Sequence, residues 1–258
     1  MKQVSATIIS NTELISGIYL AEVEAPGATD RALPGQFLMV NCGPELTLMR
    51  PFSIHQVIYR HRLSFLYKKV GKGTAWLSQR QKGEHIDILC PLGNGFSIKP
   101  TSKHILLVAG GIGIAPLVFL AHYAIAQKKS IKFLIGAATA NELYPYELLP
   151  KGILPPEITT EDGSYGKTGM ITDILPDFID NVDQVFACGP LSMYRKMSGI
   201  IHEIQQKRKV QISLEIRMGC GLGTCYGCSI KTIRGMKQVC SDGPIFNLDE
   251  IIWQEVKI

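Results

Sequence analysis

The sequence predicts an antiparallel β barrel, then an α/β domain with a mostly parallel sheet, then a small cysteine-rich β module. Three observations predict it. Short β-like runs separated by Gly, Pro and Asn fill the chain up to about Pro100, strand and helix patterns alternate after Lys103, and four of the seven cysteines crowd into the last forty residues. The expected boundaries are 1–101, 102–210 and 211–258.

The barrel rests on the runs Ser5–Ser10, Ile15–Val23, Gln36–Val40, Phe52–Ile58 and Leu63–Val70. Strands this short and numerous favour closure, which removes exposed edges. Two segments here carry phosphate chemistry. In Arg50-Pro51-Phe52-Ser53 the guanidinium can hold a phosphate oxygen by charge-assisted hydrogen bonds. In Gly71-Lys72-Gly73-Thr74, Gly73 and Thr74 can present amides and a hydroxyl at the start of a helix expected over Ala75–Gln81. Taken singly, Arg50 also reads as a surface ion-pair residue, and the glycines as a hairpin or cap.

The α/β domain alternates strand His104–Ala109, helix Pro116–Gln127, strand Ile131–Gly136, a helical Glu142–Leu149, strand Gln184–Cys188 and helix Leu191–Gln206. Such alternation implies parallel strands with helices packed on them. The 22 residues from Ile105 to Ala126 contain no Lys, Arg, Asp or Glu, but Gly110, Gly111, Gly113 and Pro116 divide them, so they read as a buried strand, turn and helix rather than a membrane span. The glycines would let a pyrophosphate approach the backbone at a helix N-terminus, where free N–H groups and the positive dipole end favour an anion. Pro116 suits a first helical turn because its missing donor would be unpaired there. Further on, Thr160-Glu161-Asp162-Gly163-Ser164 follows the β-like Glu157–Thr160. A carboxylate of Glu161 or Asp162 could accept hydrogen bonds from a ribose hydroxyl and repel a 2′-phosphate; the alternative is an Asp-Gly turn.

In the C-terminal module, Cys220-x4-Cys225-x2-Cys228 is followed by Cys240. The first three have the plant-type spacing that wraps a loop around a [2Fe–2S] cluster, and the surrounding glycines let amides approach sulfur. A zinc site also uses four thiolates, but zinc ribbons prefer two Cys-x2-Cys knuckles and only Cys225/Cys228 forms one. With so little apolar sequence, the module is expected to depend on its metal rather than on a large core.

Composition excludes several classes. The chain has 258 residues, 46% hydrophobic and 19% charged, with 25 Gly and 14 Pro, which fits neither a disordered nor a collagen-like polymer. The net charge of +5 is spread out; the one tight basic run, Lys207-Arg208-Lys209, reads as a solvated helix end, so nucleic acid is not an expected partner. An odd cysteine number argues against a disulfide framework, and Met1–Ser10 has no apolar leader, so a cytoplasmic location is expected.

Arg50-Pro51-Phe52-Ser53, Gly71-x-Gly73-Thr74, Pro91-Leu92-Gly93-Asn94-Gly95-Phe96, Gly110-Gly111-Ile112-Gly113-Ile114-Ala115-Pro116 and Cys188-Gly189-Pro190, in this order, resemble the ferredoxin-NADP reductase superfamily. The cysteine module narrows the resemblance to the electron-transfer (K) subunits of type B dihydroorotate dehydrogenases, over essentially the whole chain. That resemblance implies an FAD-binding barrel, an NAD-binding domain and a [2Fe–2S] tail. Arg50, Pro51, Phe52 and Ser53 would line FAD, with Arg50 near its phosphates and Ser53 near the flavin ring. Gly73 and Thr74 would hold the pyrophosphate. Gly110, Gly111 and Gly113 would border the nicotinamide nucleotide, Cys188-Gly189-Pro190 would close over the nicotinamide, and Cys220, Cys225, Cys228 and Cys240 would hold the cluster. Cys240 lies twelve positions after Cys228, closer than the fourth cysteine of plant-type ferredoxins.

The function so implied is an electron relay in pyrimidine (UMP) biosynthesis, between NAD and a separate FMN-containing dihydroorotate dehydrogenase catalytic subunit, in an expected heterotetramer of two of each. No residue here need act as general acid or base. Two other readings stay open: a reductase subunit of another NAD(P)H-linked iron–sulfur complex, and a zinc-stabilised nucleotide-binding regulator.

Overall fold

The barrel closes because every edge strand finds a partner. The computed structural model describes residues 1–59, 61–204 and 209–256. Strands β1 (Lys2–Ile15), β2 (Ile18–Glu24), β3 (Phe37–Val40), β4 (Arg50–Tyr59), β5 (Arg62–Lys68) and β6 (His85–Leu92) form a closed barrel in the order β1-β2-β5-β4-β3-β6. The sequence reading did not assign β6, which pairs with both β1 and β3 and so completes the ring. Its alternation was available: Ile86, Ile88, Cys90 and Leu92 point inward while His85 and Asp87 face solvent. Helix α1 (Lys72–Ser78) lies between β5 and β6 and starts three residues before the expected Ala75.

The second domain is a seven-stranded sheet. In chain order it comprises β7 (His104–Gly110), β8 (Ser130–Ala137), β9 (Glu157–Thr160), β10 (Lys167–Thr168), β11 (Gln184–Cys188) and β12 (Val210–Ser213), joined after the hairpin β13 (Ser229–Thr232) and β14 (Gly235–Gln238) by β15 (Ile245–Asn247). The order is β10-β9-β8-β7-β11-β12-β15, parallel except where β15 runs antiparallel to β12. Helix α2 (Ile114–Ala126) packs on one face; α3 (Pro176–Ile179) and α4 (Leu191–Glu203) contribute Ile179, Tyr194 and Met197 to the other. The uncharged stretch is thus a buried strand and helix, and no helix among the described residues is long and apolar enough to cross a membrane. Gln205, Gln206, Lys207 and Arg208, the end of the expected helix and most of the basic run, lie outside the described residues.

Two expectations are corrected. The helical Glu142–Leu149 is two 3-10 turns, Ala140–Glu142 and Tyr146–Leu148, with Leu143 extended and Pro145 non-helical between them. Pro145 disfavours helical geometry at its predecessor, and that local constraint overrides the helix-forming residues around it. The C-terminal module also has more core than expected. β15 extends the large sheet, and Ile230, Val239, Phe246, Leu248 and Trp253 are buried in one cluster with Leu106, Val108 and Val185 of that sheet. Trp253 lies 5.6 Å from the Tyr194 ring of α4. The missing core was supplied by the neighbouring domain, which composition alone does not reveal.

Barrel and sheet are tied by a buried polar contact. His55 of β4, 4% exposed, bonds through Nδ1 to Ser64 Oγ and through Nε2 to Tyr144 Oη, each at 3.0 Å. Burial, helped by nearby His122, pushes its pKa down to about 4. The unfolded chain takes up that proton near 6.5 while the folded chain resists, so this stability is complete above 6.5 and is lost as pH falls towards 4. By pH 5 the loss is about 2 kcal/mol. Urea midpoints should fall more steeply between pH 7 and 5 in the wild type than in His55→Gln; parallel slopes would contradict it.

Candidate functional site

Two cavities open at the junction of barrel and sheet. The first, about 630 Å³, is lined by the start of β4 (Arg50, Pro51, Phe52, Ser53), by Tyr67 and Lys68, and from the opposite side by Ala115, Glu215 and Met218. Pairing with β3 fixes the β4 segment, Arg50 opposite Val40 and Ser53 opposite Phe37, and Phe52 stacks on Phe65 at 5.3 Å. Arg50 Nη1 donates to the carbonyls of Leu48 at 2.7 Å and Met49 at 3.4 Å. That folds the guanidinium over the loop at the cavity edge. A Cβ on Gly73 would stand 3.7 Å from Arg50 Nε, so the start of α1 lies beside it, although neither Gly73 nor Thr74 lines the cavity. The Thr74 hydroxyl is already committed: it accepts from the amides of Val70 and Gly71 at 2.9 and 3.2 Å. What α1 still offers an anion is its backbone amides.

The second cavity, about 340 Å³, lies at the carboxyl ends of β7, β8, β9 and β11, where open parallel sheets bind ligands. It brings together Gly110, Gly111, Gly113, Glu161, Gly189 and Pro190. Gly111 has φ +54° and nothing within 4 Å of where a Cβ would be, which leaves its backbone open to a ligand. Gly113 does a different job, because it packs against the backbone of Cys188 and Gly189. Asp162 and Cys188 do not line the cavity. Asp162 Oδ1 instead accepts from the Ser164 amide at 3.0 Å and hydroxyl at 2.6 Å, the turn anticipated as the alternative, while Glu161 beside it does line the cavity. Its other carboxylates are Glu142 and Glu215, and no Lys or Arg is among its lining residues.

Glu215 and Ile112 border both cavities, and the sequence reading missed both. Glu215 follows β12 at its carboxyl end, the position of a parallel strand where ligand-facing residues occur, and that was the available signal. Its Oε1 accepts from Cys188 Sγ at 3.8 Å. The surrounding protein raises its carboxyl above the usual range, an effect that water in the open clefts opposes, since the residue remains exposed to them. The loop after β11 is held by Tyr194, whose hydroxyl accepts from the Gly189 amide at 2.9 Å and donates to Ser213 O at 2.6 Å.

Two of the polar atoms in this region have no partner. The hydroxyls of Thr159 and Thr172, both lining residues of the second cavity, are buried and unbonded. Each such group costs about 1–3 kcal/mol unless a ligand or water satisfies it.

The cysteine loop packs directly on the barrel, since a Cβ at Gly221 would stand 2.7 Å from Met39 Cγ. Cys225 is exposed and Cys228 and Cys240 are buried. Among the described residues no three cysteine, histidine or acidic groups form a single metal-ligating cluster. Cys225 lies beside Cys220, and Cys240 lies beside Cys228 and within electrostatic reach of Cys220, so the four thiols neighbour one another. Four neighbouring thiols could hold a [2Fe–2S] cluster or a zinc ion, and the Cys-x4-Cys-x2-Cys spacing favours the cluster. Amides already aim at sulfur: Leu222 N–H donates to Cys220 at 3.4 Å, Gly223 N–H to Cys240 at 3.1 Å and Cys240 N–H to Cys228 at 3.4 Å. Such bonds favour the charged thiolate, and with the Thr224 hydroxyl as the largest influence the Cys220 thiol is drawn down to about 5. The donor set therefore fits an iron–sulfur cluster.

Comparison with known proteins agrees. Residues 215–252 match the model of the iron–sulfur cluster binding domain of dihydroorotate dehydrogenase B. The chain is 37% identical over 257 residues to the dihydroorotate dehydrogenase B (NAD(+)) electron transfer subunit of Caldanaerobacter subterraneus subsp. tengcongensis, covering 97% of this chain and 99% of the relative. The subunit of the same description from Bacillus mycoides is 32% identical over 98% of this chain and 99% of its own length. Among solved structures, an NADH-dependent reduced ferredoxin-NADP oxidoreductase studied for flavin-based electron bifurcation superposes with TM-score 0.86 at 25% identity, covering 97% of this chain and 91% of that one. The ordered barrel, sheet and cysteine loop, together with this full-length similarity, place the chain in the family of dihydroorotate dehydrogenase B electron transfer subunits.

Proposed function

We propose that the chain relays electrons between NAD and a catalytic partner, with FAD in the first cavity, the dinucleotide in the second and a [2Fe–2S] cluster on Cys220, Cys225, Cys228 and Cys240. One observation carries this reading. The two cavities share a wall at Ile112 and Glu215, and Met218, which lines the first, precedes Cys220 by two residues. Flavin, nicotinamide and cluster would therefore meet in sequence. When bound, the flavin supplies the exchange between a two-electron hydride and single electrons that a cluster alone cannot perform.

The chain's own residues bind and orient. Arg50 and the α1 amides face the flavin phosphates, Pro51, Phe52 and Ser53 wall the ring, and Ile112 excludes water where the cavities meet. Gly110 and Gly111 border the dinucleotide phosphates, Gly113 keeps their loop close against Cys188 and Gly189, and Gly189 and Pro190 cover the nicotinamide end. Glu161 accepts from a ribose hydroxyl. With three carboxylates and no cation lining the cavity, a 2′-phosphate would be repelled, which favours NAD over NADP. No residue is assigned general acid–base work. The partner is an FMN-bearing dihydroorotate dehydrogenase catalytic subunit, in a cytoplasmic assembly of two of each chain serving pyrimidine synthesis.

The absorption spectrum of the purified chain tests the reading: flavin bands above broad iron–sulfur absorption support it, and a colourless zinc protein contradicts it. Arg50→Ala should weaken FAD retention by about 1.5–3 kcal/mol, the usual value of a charge-assisted contact. Unchanged flavin content after extensive dialysis would remove Arg50 from the site.

A further inference from the structure

Among the described residues three buried polar side-chain atoms lack a partner, and two of them, Thr159 Oγ1 and Thr172 Oγ1, belong to residues lining the second cavity. Both residues are 1% exposed. Thr159 stands in register with Gly136 of β8, and a Cβ at Gly136 would lie 2.8 Å from Ile171 Cβ. Side chains at registered positions of neighbouring strands leave the same face. Thr159 is thus directed to the side where the 3-10 turn Ile171–Asp173 packs, and that turn carries Thr172. Thr160 is a contrast, since its hydroxyl donates to Tyr165 O at 2.8 Å and accepts from Tyr165 N at 3.0 Å. Thr160 is satisfied inside the protein; its neighbour is not.

The charge of the cavity gives the pair a purpose. A dinucleotide brings a diphosphate into a cleft lined by Glu142, Glu161 and Glu215 without a single Lys or Arg. Neutral donors must hold it. Backbone amides of the glycine loop supply one set, and the two unsatisfied hydroxyls of the lining residues Thr159 and Thr172 supply another. We propose that Thr159 and Thr172 form a neutral hydroxyl subsite for the ribosyl-diphosphate centre of a nicotinamide dinucleotide. Both residues line the cavity, so a change of χ1 between staggered rotamers is all that turning a hydroxyl towards a ligand there requires. The proposal rests on the reading that this cavity takes the dinucleotide.

The test is calorimetric titration of the FAD- and cluster-loaded chain with NADH and with ADP-ribose, which keeps the ribosyl diphosphate and lacks the nicotinamide. Thr159→Val and Thr172→Val should each weaken both ligands roughly three- to tenfold, as expected for one lost hydrogen bond. Thr159→Ser and Thr172→Ser should restore binding. Without nucleotide, the Val variants should melt at or above the wild-type temperature, because each removes a buried unsatisfied group. A merely structural hydroxyl would instead lower that temperature and leave affinity unchanged. Wild-type affinity in both Val variants overturns the subsite alone, and if either variant fails to fold the other and the Ser pair still decide. Absence of NADH binding by the wild type overturns the reading of the cavity, and the subsite with it.

Discussion

Cys225→Ser is expected to abolish cluster incorporation, with iron and acid-labile sulfide falling from two of each per chain to background. In the proposed reading Cys225 is one of the four thiolate ligands of the cluster, and a hydroxyl is a poor substitute for a soft thiolate ligand. The chain should nevertheless stay folded. Cys225 is exposed, and the module around it is anchored through β15 and buried Trp253 to the large sheet, so thermal stability should change far less than the metal content. FAD binding and NADH oxidation with an artificial acceptor should persist, while electron delivery to the catalytic partner falls to background. Full iron and sulfide with an unaltered EPR signal would contradict the ligand assignment.

Gly113→Ala should be among the most damaging single methyls in the nucleotide domain. A Cβ there would stand 2.2 Å from Cys188 O, 2.4 Å from Cys188 C and 2.7 Å from Gly189 N. These are backbone atoms on the strand end that borders the second cavity, so nothing can rotate away; either α2 or the Cys188-Gly189-Pro190 loop must move. The expected cost is about 3 kcal/mol or more, with loss of NADH binding because both walls of the cavity shift. Gly199 is the control. It lies within α4 with nothing within 4 Å of a Cβ, so Gly199→Ala should stabilise by about 0.5–1 kcal/mol. Urea midpoints of the two variants should move in opposite directions, and a Gly113→Ala protein as stable as the wild type would show that the loop glycines serve only the phosphate.

The contrast between these glycines indicates what a sequence can and cannot reveal. The barrel, the parallel sheet and the cysteine loop were legible because each has a local signature: short runs, alternation of strand and helix, and a ligand spacing. The glycine loop was legible as a turn between a buried strand and a helix, but not that Gly113 is held to glycine by a neighbouring strand more than seventy residues away. Glu215 carried no motif at all; only the strand order, which ends β12 against both cavities, gives it a place. Thr74 and Asp162 were read as ligand groups, yet the fold uses the Thr74 hydroxyl and the Asp162 carboxylate to close their own turns. Short polar side chains near a glycine serve turn and ligand by the same hydrogen bonds, so sequence alone does not separate the two uses. The module's core was invisible for a similar reason, since its burial is against residues far away in the chain.

Dihydroorotate turnover by the purified chain, before and after addition of the catalytic subunit, tests the relay most directly. In the proposed reading the two cavities and the four thiols take two dinucleotides and one cluster, and no further group of residues is assigned to bind a dihydropyrimidine carboxylate and deprotonate its ring carbon. The chain alone, loaded with FAD and cluster, should oxidise NADH with an artificial acceptor and leave dihydroorotate untouched. Adding the catalytic subunit should couple dihydroorotate oxidation to NAD reduction. Dihydroorotate oxidation by the single chain, shown free of partner by mass spectrometry, would contradict the account.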